Sequence, residues 1–375
     1  MKVLVTGSDG FIGKNLLLFL AERKDVEVSC YTRKNSVAQL PDLIREADFV
    51  FHLAGVNRPE EPEEFNTSNR DLTQALCSAA RELAETVGKK VPILVTSSVK
   101  ACDDSPYGLS KRATEEAAFA IQRTHGVPVH VFRLPNVFGK WAHPNYNSAV
   151  ATFCYNISRD LPVEIRDPLA PITLVYIDDL IECFIRLMDG ASGTEDENGF
   201  ATVSQQYSVT VGEVAALIHS FKESRATLTT ERVGTGFARA LYSTYNSYLP
   251  KNAFAYSVLQ HADERGTFVE LLKTKDSGQF SYFSALPGKT RGGHYHHSKT
   301  EKLLVVKGQA RFKFRHMCTD ETYELYTSGD KAEIVETAPG WAHDVTNIGN
   351  NEMIVLLWAN EVFDRARPDT YACPL

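Results

Sequence analysis

Two sets of residues have the types and spacing to do chemistry. Tyr107 and Lys111 stand four apart in the run YGLSK. On a helix they project from one face, so the ammonium can stabilise a phenolate and lower the tyrosine toward neutrality. The preceding apolar run ILVTSS ends in Ser97 and Ser98, and a hydroxyl there can hold a carbonyl oxygen while Tyr107 exchanges a proton with it. The second set is His294 and His296 in HYH, Glu301, and His343 far downstream. On a strand the two neighbouring histidines share a face. Glu301 opens the next strand, and His343 can complete three nitrogens and one oxygen. Such a set, with a position left for water or substrate, suits Zn²⁺ or another divalent first-row ion.

The first set needs a helix and a buried strand, and the surrounding sequence supplies them. Lys2 to Thr6 reads as a buried parallel strand that breaks into Gly7, Gly10 and Gly13 before an apolar helical run starting at Phe11 and Ile12. Gly7 lets the chain reverse, Gly10 lets amides approach a pyrophosphate, and Gly13 lets the helix pack on the strand. The helix N-terminus then faces an anion. The spacing is G-x-x-G-x-x-G, a departure from G-x-G-x-x-G. A second strand, 26–32, is followed by Arg33 and Lys34, cations able to pair with a 2′-phosphate, which favours NADPH over NADH. The third strand, 48–53, runs into Leu53, Ala54 and Gly55, where a nucleotide can lie against the carboxyl edge of the sheet. Helices are expected over 69–87, 107–120, 179–188, with Asp178 as N-cap, and 211–224. The α/β pattern ends near residue 243. Residues 244–255, rich in Tyr, Ser and Asn, read as a linker.

From 256 to 375 the pattern changes to short strands with glycine turns: 267–273, 278–284, 303–306, 310–316, 322–326, 331–335 and 353–358. That predicts a small all-β barrel or jelly roll.

At 375 residues the chain can hold two cores. Its net charge of −7 argues against a nucleic-acid surface but not against an anionic small molecule. No apolar run is long enough to span a membrane and no signal-peptide pattern precedes the first strand, so a cytoplasmic protein with no membrane partner is expected. Seven cysteines with no C-x-x-C pair read as reduced thiols.

Gly7/Gly10/Gly13, HLAG at 52–55, Ser97–Ser98 and Tyr107 with Lys111 resemble the extended short-chain dehydrogenase/reductase family. The resemblance implies a Rossmann-type doubly wound parallel sheet, Tyr107 as acid/base, Lys111 as its partner and nicotinamide-ribose ligand, and Ser98 as carbonyl clamp, with Ser97 the alternative if the register slips by one. RLPNVFG, 133–139, resembles the family's substrate-facing segment, which implies Asn136 near a nucleotide sugar. GKTRGGHYHHSKTEKLLVVKG and PGWAHDVTN resemble the paired motifs of the cupin family and imply His294, His296, Glu301 and His343 as metal ligands. The opening DERGTF resembles dTDP-4-keto-6-deoxyhexose 3,5-epimerases, which implies that Arg265 binds sugar nucleotide.

Across its length the chain resembles bifunctional capsule-biosynthesis enzymes. This implies epimerisation of UDP-2-acetamido-2,6-dideoxy-4-hexulose at carbon 3 in the cupin domain. Reduction of the carbon-4 ketone by NADPH would follow, giving UDP-2-acetamido-2,6-dideoxy-L-talose, a precursor of UDP-N-acetyl-L-fucosamine. It also implies a homodimer or higher assembly. Lys302, His297 and a metal-bound hydroxide are open as the base for carbon 3. The competing readings are a one-step nucleotide-sugar reductase or 4-epimerase with a structural cupin, and a non-catalytic NADPH and sugar sensor; the intact Ser, Tyr and Lys argue against the sensor.

Overall fold

The computed structural model describes residues 1–375 except 60, 62 and 194. The chain forms two compact units, residues 1–218 with 240–249 and residues 219–239 with 250–375. The first contains β1 (Lys2–Thr6), α1 (Phe11–Ala21), β2 (Glu27–Tyr31), α2 (Leu40–Glu46), β3 (Phe49–His52), α3 (Leu72–Val87), β4 (Ile93–Ser98), α4 (Pro106–His125), β5 (Val129–Leu134), β6 (Asn136–Phe138), α5 (Ala149–Ile157), β7 (Pro171–Tyr176), α6 (Ile177–Met188) and β8 (Tyr207–Thr210). α7 (Val211–Thr227), β9 (Thr229–Thr230) and α8 (Gly236–Ser247) follow. The second unit continues with β10 (Gln260–Asp263), β11 (Gly266–Thr274), β12 (Gln279–Ala285), β13 (Thr290–Tyr295), β14 (Glu301–Lys307), β15 (Gln309–His316), β16 (Thr322–Ser328), β17 (Ile334–Glu336), β18 (Trp341–Asn347), β19 (Met353–Ala359) and β20 (Tyr371–Ala372).

β1 to β5 form one sheet in the order β2-β1-β3-β4-β5, with every pairing parallel. The strand order reverses between β1 and β3, so the crevice for a ligand opens beyond their carboxyl ends. Strands buried on both faces must be apolar throughout, as in β3, where all four residues are buried. Residues from β1, β3, β4 and β5 share a core with α2, α3 and α4. The remaining strands of this unit form a second sheet, β6-β7-β8.

The second unit is two antiparallel sheets, β10-β11-β12-β19-β14-β17 with β9 added on β11, and β16-β15-β18-β13-β20. Phe283, Leu303 and Val355 of one sheet and Phe312 and Val345 of the other share a core, so the inner faces meet. β13 and β18, outside the expected set, carry His294 and His343, and His296 lies just past the end of β13. The strand expected over 331–335 is only Ile334–Glu336.

The expected linker 244–255 begins as helix: α8 runs to Ser247 and Tyr245 is buried. The Tyr248 hydroxyl donates to the carbonyls of Ala142 and Gly139, at 2.5 and 3.3 Å, which ties 240–249 to the first unit. Tyr248 packs because its phenol finds acceptors there. Residues 219–239 join the second unit instead, through Thr229 and Thr230 paired with Lys273 and Thr274. Among the described residues no helix is long and apolar enough to cross a membrane.

Candidate functional site

In the first unit the glycine turn sits at the switch point. Gly7 has φ +69°, and a Cβ there would lie 2.7 Å from the Ala54 backbone; one at Gly13 would lie 2.3 Å from the Gly7 carbonyl. The ends of β1 and β3 are therefore in direct contact. Leu53 N–H donates to Thr6 O at 3.2 Å and Ala54 N–H to the Thr6 hydroxyl at 3.3 Å. The first hydrogen bond of α1 runs from Lys14 N–H to Gly10 O at 2.9 Å, so the Phe11, Ile12 and Gly13 amides before it have no intrahelical acceptor. No acidic side chain occupies the first turn of α1. A Cβ at Gly55 would meet the Lys111 ammonium at 3.1 Å. This backbone-lined crevice fits a dinucleotide, with the pyrophosphate at the helix start. Arg33 and Lys34 are exposed just past β2.

The Tyr107 helix starts where its sequence dictates. Ser105 is the N-cap and accepts from Gly108 N–H at 3.0 Å, Pro106 follows, and Gly126 closes the far end with φ +64°. Each of the last three residues of β4 is tied to one face of α4. Thr96 O accepts from Lys111 Nζ at 2.9 Å, the Ser97 hydroxyl donates to Glu115 Oε1 at 2.6 Å, and the Ser98 hydroxyl lies near enough to the Tyr107 phenol to pull it down. The register therefore brings Ser98, not Ser97, to the phenol. Burial pushes the Tyr107 phenol up, against the pull of the Ser98 hydroxyl. The lowering expected from Lys111 does not offset that burial, its ammonium being turned to the Thr96 carbonyl. Burial brings Lys111 down to about 8, opposed by Glu115. His52 of HLAG is a core residue, bridged to the Thr6 and Thr73 hydroxyls at 2.8 and 2.9 Å.

Asp178 does not cap α6; the cap position is Tyr176, and Asp178 accepts from Lys140 and from the Tyr176 hydroxyl at 2.9 Å. Asn136 opens β6, exposed, with its amide 3.5 Å from Thr173 O. Glu115, buried and paired bidentately with Arg133 at 2.9 and 2.7 Å, was not legible as part of this site, although it repeats the four-residue step from Lys111.

In the second unit, ligand atoms of His294, His296, Glu301 and His343 lie within 4.8 Å of one another. Gly292 and Gly293, at φ +90° and +74°, form a bulge in β13 that puts His294 opposite His343. Glu301 reaches in from the other sheet. His296 Nδ1 lies 2.6 Å from Asp369 O and His343 Nδ1 3.3 Å from Trp341 O. These carbonyls accept N–H, so the Nε2 atoms carry lone pairs. Both Nε2 atoms are buried without a hydrogen-bond partner, and each faces Glu301 Oε2, at 3.6 and 3.4 Å. Bare nitrogens around a carboxylate repel it, and a cation at their centre relieves this. Burial, with His343 nearby, brings His294 down to about 4, leaving it neutral as ligation requires. The donor set fits a divalent first-row metal.

The set opens on a cavity of about 160 Å³ walled by Phe268, Phe283, Leu303 and Phe312. Its cation is Arg291, whose Nε donates to Ser284 O at 3.0 Å. The bulge allows this, since it puts residues three apart on one face. Arg265, expected to bind nucleotide, does not line the cavity; it pairs with Asp263 at 2.5 Å. Lys302 points outward to Glu336, and the His297 ring packs on Tyr371.

Residues 3–198 match the NAD dependent epimerase/dehydratase family and residues 261–371 the polysaccharide biosynthesis C-terminal domain. The chain is 60% identical over 373 residues to UDP-2-acetamido-2,6-beta-L-arabino-hexul-4-ose reductase of Pseudomonas aeruginosa, covering 100% of this chain and 98% of that protein. The crystal structure of the capsular polysaccharide assembling protein CapF from Staphylococcus aureus superposes with a TM-score of 0.91 at 41% identity, covering 100% of both chains. UDP-glucuronic acid 4-epimerase from Bacillus cereus shares the fold of the first part, with a TM-score of 0.54 at 17% identity over 66% of this chain and 98% of that one. By these matches and by the crevice at the ends of β1 and β3, the chain belongs to the NAD dependent epimerase/dehydratase family.

Proposed function

We propose that the protein carries out two consecutive steps on UDP-2-acetamido-2,6-dideoxy-4-hexulose. The second unit, read as a metal-binding cupin, inverts carbon 3. The first unit then reduces the carbon-4 ketone with NADPH to UDP-2-acetamido-2,6-dideoxy-L-talose, for capsule or O-antigen polysaccharide. The name of the Pseudomonas aeruginosa relative, a reductase of such a hexul-4-ose, supports the substrate class. One observation carries the reading. A single chain holds both a Ser98–Tyr107–Lys111 constellation and a cavity bearing three histidines and a glutamate. Two chemistries at one sugar ketone account for both.

In the reductase, the nicotinamide supplies a hydride to carbon 4 when bound. The Ser98 hydroxyl holds the substrate oxygen and Tyr107 gives it the phenolic proton. A phenol held up by burial keeps that proton until the oxygen becomes strongly basic. Lys111, fixed by Thr96 O, favours the phenolate that remains. Gly7, Gly10, Phe11, Ile12, Gly13, Leu53, Ala54 and Gly55 hold the dinucleotide, and Arg33 the 2′-phosphate. Asn136 faces the sugar.

In the epimerase, a divalent ion such as Zn²⁺ held by His294, His296, Glu301 and His343 supplies Lewis-acid polarisation, several kcal/mol of stabilisation for charge on a carbonyl oxygen. The carbonyls of Asp369 and Trp341 orient two of these imidazoles. The aromatic walls exclude water, and Arg291 offers a cation to substrate oxygen. The same reading puts the protein in the cytoplasm as a homodimer or larger homo-oligomer.

Incubation with NADPH and the UDP-4-keto sugar in D₂O tests this. Deuterium enters at carbon 3 and is lost in His294→Ala/His296→Ala; NADPH oxidation is lost in Tyr107→Phe. Deuterium entry at the wild-type rate in the double variant overturns the epimerase assignment.

A further inference from the structure

Three successive residues of β4 meet α4 at positions 107, 111 and 115, one helical face at steps of four. The first two contacts involve groups that the proposed reduction uses. The third, Ser97 to Glu115, lies deeper and has no place in that chemistry. Glu115 is 3% exposed, yet it carries a carboxylate held by the Ser97 hydroxyl at 2.6 Å and by the Nε and Nη2 of Arg133. A buried ion pair is a poor source of stability compared with apolar residues of the same volume, so its presence beside Lys111 calls for another account.

We propose that Glu115 is a positioning residue of the reductase site: its carboxylate keeps Lys111 in the ammonium form and locks the end of β4 so that Ser98 meets Tyr107. This rests on the reduction assigned to the first unit. Few groups face the Lys111 ammonium. β4 offers the Thr96 carbonyl, and the loop after β3 brings Gly55, with the Asn69 amide alongside. His52 of β3 feels the ammonium, but burial brings that imidazole down to about 3, so it stays neutral. Tyr107 and Glu115 lie one turn to either side on α4, and Arg133 of β5 stands behind Glu115. Glu115 is thus the anion acting on a cation that burial would otherwise discharge. Its own charge is secured from the far side by Arg133, whose guanidinium stacks 3.7 Å from the Phe200 ring centroid.

The test is the pH profile of kcat/KM for ketone reduction in the full-length protein. The wild type must first turn over the UDP-4-keto sugar; if it does not, the reductase reading fails and not this inference. With turnover present, activity falls on the alkaline side as Lys111 loses its proton, near pH 8. Glu115→Gln keeps the volume and an acceptor for Ser97 but removes the charge. Its alkaline limb moves about one unit lower, so kcat/KM falls roughly fivefold at pH 8, approaches a tenfold loss above about pH 9, and is nearly unchanged at pH 6. If Glu115→Gln is poorly folded, Glu115→Gln/Arg133→Met leaves neither charge unpaired and moves the limb the same way. A profile superimposable on wild type, or one lowered by the same factor at every pH, overturns the proposal.

Discussion

His294 lies directly opposite His343 across the β13–β18 pair because the bulge at Gly292 and Gly293 inserts one residue between Arg291 and His294. The two glycines are not equivalent. A Cβ at Gly292 would come within 2.9 Å of the His343 carbonyl, whereas one at Gly293 meets nothing closer than 3.7 Å. Gly293→Ala therefore carries only left-handed backbone strain, about 1–2 kcal/mol. It should bind one Zn²⁺ per chain with a Tm lowered by a few degrees. Gly292→Ala also pushes on a ligand strand, and calorimetric titration should show Zn²⁺ binding weakened at least tenfold.

The Ser98–Tyr107 contact makes the two serines of β4 separable. Tyr107→Phe and Ser98→Ala should each lower kcat for NADPH oxidation by about 10²–10⁴-fold. NADPH binding, read by cofactor fluorescence, should change little. Ser97→Ala, which loses only a contact to Glu115, should lower kcat by less than either.

His52 gives the first unit an acid sensitivity of known sign. Burial brings this imidazole down to about 3 from an ordinary 6.5. Between those values the unfolded chain binds a proton that the folded chain refuses, so stability rises with pH through the window and is complete above 6.5. The contribution lost on acidification is on the order of 5 kcal/mol. Urea midpoints measured from pH 4 to 7 should fall toward acid, and His52→Gln should flatten that slope.

At the end of β2, Arg33→Asp exchanges a 2′-phosphate partner for a carboxylate suited to a free ribose hydroxyl. KM for NADPH should rise about 10- to 100-fold, the scale of a charged hydrogen bond, while KM for NADH stays level or falls. An unchanged ratio of the two in steady-state assays would remove Arg33 from the cofactor site.

What the chain declares along its own length are the relationships of short period. The Gly7–Gly13 turn between strand and helix, the four-residue step from Tyr107 to Lys111 and the two-residue step from His294 to His296 each follow from local backbone geometry. The change from α/β to all-β pattern needs nothing further. Tertiary structure decides what local period cannot reach. Whether Ser97 or Ser98 meets Tyr107 depends on the register of β4 against α4, and a slip of one residue reverses the answer. Glu115 joins the site only because β4 and β5 bring Ser97 and Arg133 to it. Arg291 rather than Arg265 lines the cavity because a bulge shifts the phase of β13, and Tyr245 leaves the expected linker because α8 buries it. The Tyr107 phenol stands up rather than down for the same reason: spacing sets how near two side chains can come, but the fold decides how deeply the phenol is buried and which acceptor the ammonium meets, here the Thr96 carbonyl.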